Sequence, residues 1–434
     1  MKLIQCKRRR LIKEPWITSG VLKSSRTKRK LFHKKINNPS PQNILNYASY
    51  FKNFRKIKRT AKLQYFREAF IKNKKDIKAT WRIIKSVIPN KTNNSSLPTE
   101  FLHDNTVITD PHQVANEFNT FFANIGHITS ESVPETDKHY SEYLTPAHRA
   151  KNSLFLEPVH PEELINLCNK LKPKTSSGHD NISTKLLKQT INYTAIPLAH
   201  IFNKSFQEGN VPSKMKLAKV IPIFKSGNNN SFNNYRPISL LPSFSKLLEK
   251  AMAKRLVGFL EHFNILYKHQ YGFRKKHSTI HPILQLLKFI SKSIDKPSKD
   301  ITIGIFLDLS KAFDTINHKA LLSKLNFYGI RGIANNWFKS YLSGRFQYTE
   351  VNDIKSNILG SFCGVPQGSI LGPILFLIYI NDISQSTNMS VLSFADDTTV
   401  YTSNSNLGDL YYHTNLELEK MQEWFFANKL SLNI

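Results

Sequence analysis

The sequence predicts an α+β fold that follows a basic helical extension. Apolar residues recur every three or four positions between about 46 and 88, which is the spacing of an amphipathic helix. After about residue 155, strand and helix patterns are mixed. Of the 434 residues, 40% are hydrophobic, so the chain can bury a large core.

Three segments are expected along the chain. Residues 1–98 would form a mobile basic arm (1–45), two amphipathic helices with their aromatic residues in a core (46–88), and a linker of composition KTNNSSLP (91–98). Residues 99–154 would form a helical extension. Residues 155–434 would form the main α+β domain.

One helix of the extension has clear start and stop signals in the sequence. In DPHQVANEFNTFFANIG, Asp110 is placed as the N-cap, Pro111 as the first residue and Gly126 as the stop. A second helix is predicted for ILGPILFLIYI at 370–380. That run is too short to span a bilayer, and we expect it in the core.

The charge of the chain is strongly positive and uneven. The formal net charge is +31, and residues 1–100 hold 27 Lys and Arg against 4 Asp and Glu. A region of this density favours a polyanionic partner, because each neutralised phosphate releases counterions. The alternative is a solvated charged tail.

The three cysteines, Cys6, Cys168 and Cys363, have neither disulfide-framework nor zinc-knuckle spacing. This scarcity favours a reducing compartment without structural zinc. The first residues, MKLIQCKRRR, are not followed by an apolar stretch of signal-peptide length. We therefore expect an intracellular protein, nuclear or cytoplasmic, that does not enter a membrane.

Three carboxylates follow strand-like runs. Asp396 and Asp397 lie at the centre of VLSFADDTTVY and are predicted at a hairpin tip, where Asp also serves simply as a turn former. Asp308 follows TIGIF, a run expected to be a strand buried on both faces. Adjacent carboxylates repel one another, so a functional site would need a divalent cation. Three of them could hold two Mg²⁺ ions about 3.5–4 Å apart for phosphoryl transfer.

Five motifs occur in a specific order. The chain resembles the reverse transcriptases of non-LTR, LINE-type retrotransposons over about 155–434, and the resemblance is carried by NNYRPISLL (233–241), QYGFRKKHST (270–279), LDLSKAFD (307–314), GVPQGSILGP (364–373) and FADD (394–397). It implies a right-hand polymerase fold, with fingers and with an antiparallel palm sheet packed on helices. It also implies an RNA-directed DNA polymerase that uses an RNA template, a DNA primer and deoxynucleoside triphosphates.

The resemblance also assigns site residues. It implies that Asp308, Asp396 and Asp397 are catalytic and bind two Mg²⁺ ions, with Mn²⁺ as an alternative. Phe313 would crowd a ribose 2′-hydroxyl. The remaining implied nucleotide-binding residues are Lys225, Arg236, Gln367 and Gly368, and the implied template- and primer-binding residues are Gly272, Phe273 and Arg274.

Other functions stay open at this point. The chain could be a truncated, catalytically weak retroelement product that binds nucleic acid through its basic region. An RNA-dependent RNA polymerase is disfavoured by Phe313 and by FADD in place of GDD. We find no endonuclease pattern before residue 155, so nicking is expected from another chain or region. The sequence up to Ile434 shows no match to a thumb, and poor processivity is expected.

Overall fold

The structure is a computed structural model that describes residues 14–74, 76–87, 97–98, 100–103 and 106–433. Contacts divide the chain into two compact units, residues 1–95 and 96–434. The first unit contains three described helices, α1 (Ser19–Asn37), α2 (Pro41–Lys72) and α3 (Ile77–Val87).

The prediction of a mobile arm is wrong for Ser19–Asn37, because these residues form helix α1. It forms an antiparallel hairpin with α2, in which the Phe32 and Tyr47 ring centres are 5.5 Å apart and the Lys28 ammonium lies 5.3 Å from the Phe54 ring centre. The Thr18 side chain caps its first turn. The basic run at residues 8–10 and residues 91–96 of the predicted linker lie outside the described residues.

The prediction that the aromatic residues of this unit are buried is largely wrong. Helix α2 has no buried residue along its 32 residues, and Trp81 on α3 is 56% exposed. Three helices enclose too little volume to cover every ring. The unit therefore presents aromatic and basic side chains to solvent on the same surfaces.

The second unit confirms the α+β prediction. In the residues that the structure describes, its α-helices are α4 (Pro111–Glu131), α5 (Pro161–Asn169), α6 (Thr184–Glu208), α7 (Ser243–His262), α8 (Ile280–Ile294), α9 (His318–Phe327), α10 (Gly332–Leu342), α11 (Gly372–Tyr379) and α12 (Leu407–Ala427). The strands are β1 (Phe101–His103), β2 (Thr106–Ile108), β3 (Leu217–Phe224), β4 (Tyr235–Leu240), β5 (Ile301–Leu307), β6 (Leu309–Ser310), β7 (Arg345–Val351), β8 (Ile354–Lys355), β9 (Leu359–Ser361), β10 (Ser390–Phe394), β11 (Asp397–Asn404) and β12 (Ser431–Leu432).

Two sheets carry most of the strands. One is antiparallel, in the order β10-β11-β5. The other has the order β4-β3-β7-β8 with β9 also on β7, and its β3 and β7 are parallel. Helix α11 lies in the main core, as predicted, with Leu375, Phe376 and Tyr379 fully buried. Among the helices of the described residues, none has the length and apolar character needed to cross a membrane.

Helix α4 begins as predicted but ends later. The Asp110 carboxylate accepts a hydrogen bond from the Gln113 N–H, which confirms it as the N-cap. Gly126 does not stop the helix, which continues to Glu131. A Cβ at Gly126 would lie 1.9 Å from the Asp314 carbonyl oxygen, so this glycine allows α4 to approach another backbone closely.

Strand β5 is not buried on both faces, contrary to prediction. Phe306 is 75% exposed and Gly304 on the same face of β5 is exposed as well, whereas Ile305 and Leu307 on the opposite face pack against the core. The continuous apolar run TIGIF predicted a strand correctly, yet could not reveal which side of it is covered.

A buried ion pair joins α9 to the residues after α11. The Lys324 ammonium donates to the Asp382 carboxylate at 2.7 Å and to the Tyr379 carbonyl at 2.6 Å, and it is fully buried. Lys324→Met should lower the free energy of unfolding by about 3–5 kcal/mol, because it leaves the buried Asp382 charge without its partner. Denaturant unfolding would measure this. Lys319→Met, an exposed change on the same helix, should shift stability by under about 0.5 kcal/mol, and equal losses would contradict the account.

Candidate active site

Three carboxylates meet at one end of the antiparallel sheet. Strands β10 and β11 form a hairpin in which Phe394 pairs with Asp397, leaving Ala395 and Asp396 as a two-residue turn. Thr398 of β11 pairs with Leu307 of β5, so Asp308 follows immediately on the neighbouring strand. This confirms that the acidic residues lie at the ends of adjacent antiparallel strands.

The electrostatics of the site agree with this proximity. Burial raises the pKa of Asp397 above its ordinary value, and the nearby carboxylates of Asp396 and Asp308 raise it further. Mutual repulsion of this kind is relieved by a bound cation. Carboxylate oxygens are also the hard ligands that Mg²⁺ and Mn²⁺ take in proteins. The donor set therefore fits the divalent ions that the sequence predicts.

The carboxylates are not arranged as a complete metal site. Within the described part of the chain, no group of three or more His, Cys, Asp or Glu side chains is placed to hold a metal ion. The Asp308 carboxylate instead accepts a hydrogen bond of 2.8 Å from the Asn433 side-chain amide. Sequence reasoning did not single out Asn433, which reaches Asp308 because β12 pairs with β6.

The loop that contains Gln367 lies against the LDLSKAFD turn. The Gln367 amide donates to the Asp314 carboxylate at 2.7 Å, and the Gln367 carbonyl accepts from the Ser239 N–H at 2.8 Å. Burial raises the pKa of Asp314 to about 6, although the bond from Gln367 opposes this shift. Gly368 has φ +118°, and a Cβ there would lie 2.8 Å from the Ser239 carbonyl oxygen, so the loop requires glycine at this position.

Phe313 precedes Asp314 on the same turn and is partly buried. Its ring centre lies 4.9 Å from that of Phe376 on α11 and 6.3 Å from that of Phe273. The contact with Phe376 therefore holds one side of the Phe313 ring against the core. The rest of the ring faces Phe273, whose side chain is 55% exposed.

Three cations lie on one side of the site. Lys225 and Arg236 are exposed on the hairpin of β3 and β4. Burial lowers the pKa of Lys311, and the charges of Lys225 and Arg236 lower it further while Asp314 opposes them. The Lys311 ammonium also lies 5.8 Å from the Phe121 ring centre on α4. Sequence reasoning missed Lys311, although it occurs inside LDLSKAFD.

The predicted template-binding residues lie beside the hairpin of β10 and β11. A Cβ at Gly272 would lie 2.0 Å from the Ala395 nitrogen. The Arg274 guanidinium is bound to the Glu261 carboxylate at 2.9 and 3.0 Å, so in this structure it is engaged within the protein. Template contacts by Gly272, Phe273 and Arg274 stay a prediction.

Comparison with known proteins identifies the class of this site. Residues 223–434 match the family model described as "Reverse transcriptase (RNA-dependent DNA polymerase)", and this range contains all of the site residues named above except Phe121. The candidate active site is thus part of a reverse transcriptase domain.

Curated relatives narrow the family. The chain is 34% identical over 276 residues to the probable RNA-directed DNA polymerase from transposon BS of Drosophila melanogaster, over 62% of this chain and 29% of that protein. It is 31% identical over 299 residues to the RNA-directed DNA polymerase from mobile element jockey of the same species, over 66% of this chain and 32% of that protein. Residues 223–434 therefore form a reverse transcriptase domain that is similar to those of LINE-type, non-LTR retrotransposons. The chain spans about a third of the length of these relatives.

Proposed function

We propose that this chain performs RNA-directed DNA synthesis, joining deoxynucleotides to a DNA primer on an RNA template. The observation that carries the proposal is the meeting of Asp308, Asp396 and Asp397 at one sheet end. In this proposal, the sheet β10-β11-β5 is the palm of a right-hand polymerase. The sheet that contains β3 and β4 supplies the fingers.

Each group at the site has a role in this reaction. Asp308, Asp396 and Asp397 would hold two Mg²⁺ ions, which when bound stabilise the charge that develops on the transferring phosphoryl group. Lys225 and Arg236 would bind the triphosphate, a point charge and a planar fork each matching phosphate oxygens. Lys311 adds positive charge on the same side.

Two further groups would select and place the nucleotide. Phe313 would crowd a ribose 2′-hydroxyl, since Phe376 prevents the ring from withdrawing into the core. The loop of Gln367 and Gly368 would lie along the template and the nucleotide, held in position by the bond from Gln367 to Asp314. Phe313 and the Gln367 loop would thereby orient the α-phosphorus of the nucleotide relative to the primer hydroxyl. Orientation alone can lower the activation barrier by several kcal/mol.

Primer extension tests this function. Purified chain would be mixed with a labelled DNA primer annealed to RNA, deoxynucleoside triphosphates and Mg²⁺. We expect additions complementary to the template that require Mg²⁺ and are absent when ribonucleoside triphosphates replace the deoxynucleotides. A folded chain that adds nothing, or that prefers ribonucleotides, would refute the proposal.

The basic first unit is proposed to bind nucleic acid with little sequence preference. Its exposed lysines and its exposed Trp81 suit phosphate contacts and base stacking. In the full chain, Lys52→Gln with Lys56→Gln should reduce the log–log salt slope of RNA binding by about 1.4–1.8, since each phosphate contact contributes about 0.7–0.9. Filter binding between low and moderate salt would measure the slope.

The matched control changes two exposed lysines on α6, Lys185→Gln with Lys204→Gln. This pair should leave the slope within about 0.5 of the unmodified chain. A slope that both double variants reduce equally would mean that binding is spread over the whole surface rather than concentrated in the first unit.

A further inference from the structure

The turn that presents the acidic pair is conformationally unfavourable. Ala395, which precedes Asp396, has φ +61°, in the left-handed region that non-glycine residues seldom occupy. Two-residue hairpin turns with positive φ favour Gly, Asn or Asp at that position. Ala395 is also buried. Something outside the turn must therefore hold its backbone in place.

One side chain binds both polar groups of the Ala395 backbone. The Gln270 amide oxygen accepts from the Ala395 N–H at 3.0 Å, and its amide nitrogen donates to the Ala395 carbonyl at 3.3 Å. The same oxygen accepts from the Gly272 N–H at 2.7 Å. Gln270 is only 4% exposed, so water does not compete with these bonds.

The backbone around Gln270 also lies against the hairpin. The backbone N–H of Ser393 donates to the His269 carbonyl at 3.0 Å, and the backbone carbonyl of Ser393 accepts from the Tyr271 N–H at 2.8 Å. Gly272 lies so close to Ala395 that a Cβ would come within 2.0 Å of its nitrogen. The segment 269–272 therefore acts as a short additional strand on the outer side of β10.

We propose that Gln270 is a positioning residue for the acidic pair, and that Gly272 permits the close approach this requires. Without the two amide bonds, Ala395 would relax from positive φ and redirect Asp396, the next residue. The triphosphate contacts of Lys225 and Arg236 lie on a different hairpin and would be unaffected. The inference rests on the proposed function, since it concerns how that function's carboxylates are aligned.

The test compares Gln270→Leu with Gly272→Ala and a matched control. Asn203 on α6 makes the same kind of clamp elsewhere, accepting from the Val159 N–H at 2.6 Å and donating to the Val159 carbonyl at 3.0 Å. Asn203→Leu thus removes two equivalent bonds at a distance from the carboxylates. Hydrogen exchange of peptides that contain Ala395, and primer extension at varied deoxynucleotide concentration, would be measured on each full-length variant.

Gln270→Leu should speed exchange at Ala395 at least about tenfold and lower kcat about 10²-fold, the scale expected for a small misplacement of reacting groups. The KM for deoxynucleotide should stay within about twofold. Gly272→Ala should have the same signature, while Asn203→Leu should leave Ala395 exchange and kcat unchanged.

Unchanged exchange and kcat in Gln270→Leu would overturn the inference. Equal effects of Asn203→Leu would overturn it too, because they would reflect a general loss of stability. If the unmodified chain synthesises no DNA, the proposed function fails, and the exchange of the Ala395 amide alone then decides whether Gln270 positions the turn.

Discussion

Asp396→Asn should reduce templated deoxynucleotide addition by a factor on the order of 10³ or more, the scale of loss when a group that stabilises transition-state charge is removed. Asp308→Asn on the neighbouring strand should have a similar effect. The double variant should be no worse than either single one, because residues that act as a unit show non-additive losses. Single-nucleotide primer extension under single-turnover conditions would measure all three rates.

Asp353→Asn is the matched control for these changes. Asp353 lies in the exposed turn between β7 and β8 with φ +64°, a conformation that Asn adopts as readily as Asp. The rate of nucleotide addition by the Asp353→Asn variant should stay within about twofold of that of the unmodified chain. If Asp396→Asn retained a tenth of the activity, or if Asp353→Asn matched its loss, the site assignment would be wrong.

Gly126→Ala should destabilise the second unit by about 3 kcal/mol or more, at the upper end of overpacking effects. Its Cβ would lie 1.9 Å from the Asp314 carbonyl oxygen and 2.8 Å from the Cys363 sulfur. Helix α4 or the turn that carries Phe313 and Asp314 must then shift. Denaturant unfolding would measure the stability, and the rate of primer extension should fall with it.

Gly258→Ala is the natural comparison, since Gly258 also lies inside a helix, α7. A Cβ there would meet nothing within 4 Å. This change should leave stability unchanged or raise it by about 0.5–1 kcal/mol, because alanine is the better helix former. Similar losses at both glycines would show that helix propensity, and not the contact with Asp314, determines the effect.

Features with local signals could be predicted from the sequence. The Asp110 cap depends on the residues that follow it within one turn, and the apolar run around α11 marks a core helix in any context. The hairpin at Asp396 and Asp397 is bounded by β-branched and aromatic residues. The placement of Asp308 beside it required the order of motifs, because strand pairing is not a local property.

Features that depend on distant neighbours could not be predicted. Gly126 has the sequence signature of a helix stop, and only the approach of the Asp314 backbone shows its actual role. The exposure of Phe306 depends on which face of its sheet packs against the core, and an apolar run in the sequence does not specify that face. The role of Gln270 could not be predicted, because nothing in the local sequence QYGF indicates that its side chain reaches Ala395.

Mn²⁺ binding, followed by electron paramagnetic resonance in the presence of a deoxynucleoside triphosphate, tests the central claim most directly. The claim is that Asp308 and Asp396 form one cation site from two strands. The unmodified chain and Asp353→Asn should bind Mn²⁺ with the same affinity, whereas Asp308→Asn and Asp396→Asn should each weaken binding at least about tenfold, since each removes a charged oxygen ligand. Mn²⁺ affinity that is unchanged by either substitution, or changed by only one of them, would contradict the account.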